Sequence, residues 1–170
     1  MIKYCLQKWD KNKDRLEAAI RADKTINDYK NGYSYLVKLV IDYILNEQET
    51  ENEKSEEEKP EVWDSSKIVE IDHGYYQGTL LFLIPKKHTI PGEYEYLMTY
   101  ADYGTCPACD VLEGIRWNDD GEEKLPTEQQ VKDYMTLCRD LVSHMIVPYN
   151  FGWRHEERFD IVEEKVFQQK

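Results

Sequence analysis

No stretch of this sequence is apolar for long. The longest run, Thr79 to Pro85, falls far short of the roughly 20 residues that a membrane-crossing helix needs, so no transmembrane helix is expected. Met1 to Trp9 mixes Lys3, Gln7 and Lys8 with its apolar residues and offers no secretory h-region, which predicts an intracellular, cytoplasmic protein. Glycine and proline are few, at 8 and 6 residues, and no repeat is visible, which excludes fibrous and low-complexity architectures. Basic residues are outnumbered, 22 against 34 acidic, for a formal net charge of -12. Nucleotide-binding signatures are missing too: the chain has neither GxxxxGK[ST] nor GxGxxG. His73 and His88 stand without a serine nucleophile pattern, so no triad is indicated.

The charge is unevenly spread. Residues 1–31 carry net +3, the stretch Glu47 to Glu61 carries net -6, and residues 62–170 carry net -9. An acidic field repels phosphate, which disfavours direct binding of nucleic acid and favours a basic host protein as partner. Glu47 to Glu61 also has no aromatic or aliphatic side chain to bury, and it reads as a linker. The expected division is therefore a helical pair over 1–46, an acidic linker over 47–61 and an α+β domain over 62–170.

Periodicity supplies the elements. Asp10 to Asp23 predicts a helix with Leu16, Ala19 and Ile20 on one side. Tyr33, Leu36, Val37, Val40, Ile41, Ile44 and Leu45 follow helical spacing after Asn31-Gly32. From Lys67 the period drops to two. Lys67 to Asp72, Thr79 to Ile84 and Glu93 to Tyr103 predict a three-stranded antiparallel meander, with Gly74 and Gly78 bounding its first turn. Cys109 to Trp117 predicts a short helix. Thr127-Glu128-Gln129-Gln130 is a capping box that opens a long helix to about Met145, with Val131, Tyr134, Met135, Cys138, Leu141, Val142 and Met145 facing inward. The fold class is α+β: an N-terminal helical pair, the meander, and a long C-terminal helix packed on the sheet.

One segment is chemically pointed. Gly104-Thr105-Cys106-Pro107-Ala108-Cys109-Asp110 places a CxxC between a strand and a helix. Three readings stand. Cys106 and Cys109 form a redox pair, or half of a zinc site, or a structural turn. For zinc, Cys138 and His144 are the nearest further ligands, yet six residues along a helix separates them by about 240°. In the structural reading Gly104 supplies backbone freedom, Thr105 or Asp110 satisfies exposed amides, and no cofactor is implied. Asp119, Asp120, Glu122 and Glu123 lack the alternation of a calcium loop and read as a solvated acidic turn able to meet a basic partner. Tyrosine is abundant, at 13 residues, and Tyr75-Tyr76 at the first hairpin would make interface anchors if exposed.

Tyr76-Gln77-Gly78 leading into a strand, then Tyr103-Gly104-Thr105-Cys106-Pro107-Ala108-Cys109-Asp110 with Leu112-Glu113, resembles a family of small uncharacterised proteins of bacteriophages and gut bacteria. There a Tyr-Gln-Gly strand entry precedes Tyr-Gly-Ser-Cys-Ser-Gly-Cys-Asp and a helix. The likeness covers roughly residues 68 to 145, and this chain departs from it at Thr105, Pro107 and Ala108. The resemblance implies a phage or mobile-element origin and supplies no catalytic residue. Taken together, the expected function is a non-enzymatic acidic protein-binding module, for example an inhibitor that occupies the basic nucleic-acid groove of a nuclease or CRISPR effector. The alternative is a zinc or thiol-redox protein centred on Cys106 and Cys109.

Overall fold

The computed structural model describes residues 2–46, 62–87, 92, 95–117 and 124–146. Their order is α1 (Ile2–Ala22), α2 (Tyr33–Val40) running into a π-helical turn (Ile41–Leu45), β1 (Val69–Gly74), β2 (Gly78–Pro85), β3 (Tyr96–Tyr103), α3 (Val111–Arg116) and α4 (Glu128–Ser143). The fold is α+β, with an antiparallel sheet in the order β1-β2-β3.

α1 begins eight residues earlier than the periodicity from Asp10 suggests. Its buried stripe is Cys5, Trp9, Asn12, Leu16 and Ile20, so a polar residue sits where an apolar one would have revealed the continuity. Asn12 is there for a reason. The last turn before Asn46 is widened, with the Asn46 N–H bonding the Ile41 carbonyl, and the carbonyls at this helix end have no N–H of the helix to accept from. The Asn12 side-chain amide takes one of them, donating to the Ile44 carbonyl at 2.8 Å in the buried contact between α1 and the π turn.

All seven positions expected to face inward between Tyr33 and Leu45 are buried. They form one core with Leu16 and Ile20 of α1, the inward face of α4, and Phe82, Ile84 and Leu97 of the sheet. α4 is opened by the capping box read from the sequence: Thr127 Oγ1 accepts from the Gln130 N–H, and the Thr127 N–H donates to Gln130 Oε1. It contacts the sheet through Thr99, whose hydroxyl donates to the Leu141 carbonyl at 2.7 Å, and it lies along α1 as well.

Register assigns each side of the sheet. Phe82, Ile84, Leu97, Thr99 and Ala101 face the helices. The row Tyr96, Met98 and Tyr100 lies on the opposite side with Leu81 and Leu83, only partly covered. The tyrosine-rich face of β3 is therefore the outer one. Tyr94 lies outside the described residues.

The acidic stretch 47–61 also lies outside them, but its anchors do not. The Asn46 side chain donates to the Trp63 carbonyl and accepts from the Trp63 N–H, both at 2.9 Å, so the residues that flank the stretch are held together by one clasp. Two expectations follow. Asn12→Ala leaves a buried carbonyl unsatisfied and should cost about 1–3 kcal/mol in a urea titration. Deleting Gln48 to Lys59 should change stability by no more than about 1 kcal/mol, because loop closure depends only logarithmically on length; a larger loss would show that the stretch packs on the fold.

Candidate functional site

The turn from β3 into α3 is organised by a carboxylate. Asp110 is buried and caps α3, its Oδ1 accepting from the Glu113 N–H at 3.1 Å. The same oxygen accepts from the Tyr33 hydroxyl at 3.0 Å, and Oδ2 accepts from the Gly104 N–H at 3.3 Å. Tyr33 in turn accepts from the Leu112 N–H. Burial pushes the Tyr33 phenol well above its usual range, and the neighbouring Asp110 charge adds to the effect, so the hydroxyl stays a donor. Of the two residues expected to satisfy amides here, Asp110 does so. Thr105 is exposed and makes no hydrogen bond to a described residue.

Cys106 and Cys109 are brought together by the turn. Their Cα atoms are 5.2 Å apart, within the span of a disulfide, and the two sulfurs are paired. The Cys106 N–H points at Cys109 Sγ at 2.9 Å, and the Cys106 carbonyl accepts from the N–H groups of Cys109 and Asp110. Cys109 is exposed and Cys106 half-buried, so the pair sits on the surface. Gly104 is fixed by close approach: a Cβ there would lie 2.7 Å from the Cys109 carbonyl oxygen and 2.8 Å from its sulfur.

The other two cysteines are remote in character. Cys5 and Cys138 are buried and unpaired, and burial raises their thiols to about 11 and about 12, which makes them inert packing groups at neutral pH. Cys138 is thus no partner for the surface pair. Among the described residues no three His, Cys, Asp or Glu side chains gather as a metal-binding group. His144 stacks on Tyr100, with ring centroids 4.2 Å apart.

Tyr75 and Tyr76 form the tip of the β1–β2 hairpin, 86% and 68% exposed, with rings edge to face at 4.6 Å. Gly74 makes this tight tip possible, since a Cβ there would meet the Gln77 carbonyl and the Tyr103 hydroxyl at 2.7 Å. Asp119, Asp120, Glu122 and Glu123 lie outside the described residues. Sequence reasoning did not single out Val69, Ile71, Val111 and Trp117, all exposed. Val69 and Ile71 alternate with acidic residues in an outer strand, and that alternation was the available signal.

A cleft of about 280 Å³ opens between the start of α2 and the turn at 65–66, lined by Lys30, Ser34, Lys38, Ser65 and Ile68 among others. It is smaller and more polar than typical ligand pockets, and Lys38 within it is held by Asp42 at 2.6 Å. Comparison of the chain with protein-family models, with curated proteins and with solved structures finds no match in any of the three.

Replacing Gly104 by Ala should destabilise the protein by about 1–3 kcal/mol, as overpacking of a fixed turn does, with a lowered urea midpoint at unchanged slope. An unchanged midpoint would mean that the turn can open without cost.

Proposed function

We propose that this protein is a non-enzymatic binding module that engages a basic partner protein through an acidic surface anchored by Tyr75 and Tyr76. The observation that carries the reading is the hairpin tip. Two tyrosines at 86% and 68% exposure, held by a glycine-bounded turn, are poorly accounted for by packing within the chain. Rigid exposed tyrosine offers large contact area at small entropic cost, which suits an interface anchor. The net charge of -12 supports a basic partner through steering and complementarity. A phage or mobile-element origin, implied by the motif around Cys106, fits a module that occupies the nucleic-acid groove of a host enzyme.

Affinity capture with the full chain, followed by titration of the recovered protein, tests this. The expected result is saturable binding that weakens with salt and that Tyr75→Ala/Tyr76→Ala weakens about tenfold or more, in the range of hot-spot losses. Salt-independent binding that ignores both tyrosines would overturn the reading.

A second reading is dithiol–disulfide exchange at Cys106 and Cys109. It is favoured by the surface position of the pair and the Cys106 N–H aimed at Cys109 Sγ, a contact that would stabilise a thiolate there. In that chemistry an external dithiol reduces the pair to two thiols and itself becomes a disulfide. Zinc held by the reduced thiols is the related alternative, read out by elemental analysis of the reduced protein. Failure of a Cys109→Ser variant to alter either exchange or metal content would leave the turn purely structural.

A further inference from the structure

The two edges of the sheet are finished differently. On one side Met98 of β3 is bonded in both directions to Ile146, its N–H donating to the Ile146 carbonyl at 2.8 Å and its carbonyl accepting from the Ile146 N–H at 2.9 Å. His144 stacks on Tyr100 just before, so the chain leaving α4 wraps that edge. On the other side is β1, and among the described residues no strand pairs with its outer flank.

β1 carries an alternating code. Val69 and Ile71, 48% and 43% exposed, continue the rows Leu83–Met98 and Leu81–Tyr100 across the outer face. Glu70 and Asp72 point to the opposite face. Both are exposed, and Glu70 makes no hydrogen bond or ion pair with a described residue. Asp72 accepts from the Tyr103 hydroxyl at 2.7 Å.

We propose that β1 is a docking edge for an extended segment of a partner protein in which apolar residues alternate with Lys or Arg, added as a fourth strand. This rests on the reading of the chain as an acidic binding module and names how it would bind. Backbone pairing along β1 supplies affinity in strand addition, while alternate side chains supply selectivity. The partner's apolar residues extend the outer rows beyond Val69 and Ile71, and its basic residues meet Glu70 and Asp72. Charge decides against a second copy of this chain as occupant. Pairing of β1 with itself would set Glu70 and Asp72 beside their own copies, and like charges across a strand pair are destabilising.

Two short peptides of identical composition test the proposal on the full chain at low salt, one alternating Lys and Val, the other with all its Lys before its Val. The alternating peptide should bind about tenfold more tightly and slow hydrogen exchange at those amides of residues 69–72 that point away from β2. Glu70→Lys should weaken it at least about fivefold, while Asp14→Lys, an equal charge change at an exposed residue of α1, should leave it unchanged. Equal binding of both peptides, with Asp14→Lys as damaging as Glu70→Lys, would overturn the edge and keep the acidic module. Absence of binding by either peptide and by any basic protein would remove both. Slow exchange in the free protein at those amides of 69–72 that point away from β2 also overturns the proposal: a concentration-dependent effect identifies a second copy as occupant, and a concentration-independent one the chain itself.

Discussion

Asp110 is the constraint on which the join between helices and sheet depends. A buried carboxylate is tolerated only when its oxygens are satisfied, and here the donors come from three separate places: the Tyr33 hydroxyl at the start of α2, the Gly104 amide at the end of β3 and the Glu113 amide inside α3. Each of those segments is thereby fixed relative to the others. The apolar core is permissive by comparison, because hydrophobic burial has no direction and several packings could bury the same stripes. The carboxylate admits one arrangement of its donors, and so it selects among them.

Arg116 plays the matching part on the other side of α3. It is buried, and its guanidinium donates to the Ile26 carbonyl at 2.7 Å and to the Tyr134 hydroxyl at 3.1 Å, while Tyr134 donates to Asn27 at 2.9 Å. α3 has only six residues and could not be stable as an isolated helix. It is held by a polar contact at each end, Asp110 to α2 and Arg116 to the α1–α2 connection and α4. The surface pair of cysteines hangs from this frame, which explains how a four-residue turn keeps two sulfurs together on an exposed rim.

What could be read beforehand divides along the same line. Helical spacing from Tyr33 to Leu45, alternation in the three strands and the Thr127 capping box are local patterns, and each appears in the fold where expected. The first half of α1 was hidden because Asn12 occupies a core position, and Asn12 is explained only by a helix-end carbonyl in the π turn, 32 residues away. That π turn was itself invisible, since the same apolar spacing suits an α-helix. Asp110 was recognisable as a local amide acceptor, but its bond to Tyr33 spans 77 residues and leaves no trace in spacing. For the candidate interface, the pair Tyr75-Tyr76 could be named from the hairpin pattern, whereas β1 as an edge strand with no described residue on its outer flank follows only from the strand order.

The unequal finish of the two sheet edges bears on assembly. A sheet with both flanks open can accept a strand on each side and grow without limit, which is the geometry of fibres. Here Ile146 occupies the β3 flank at Met98, whereas no described residue pairs with the outer flank of β1. Strand addition at the two flanks is therefore not equivalent, because a strand arriving at β3 must first displace Ile146 from Met98 and lose that pair of hydrogen bonds.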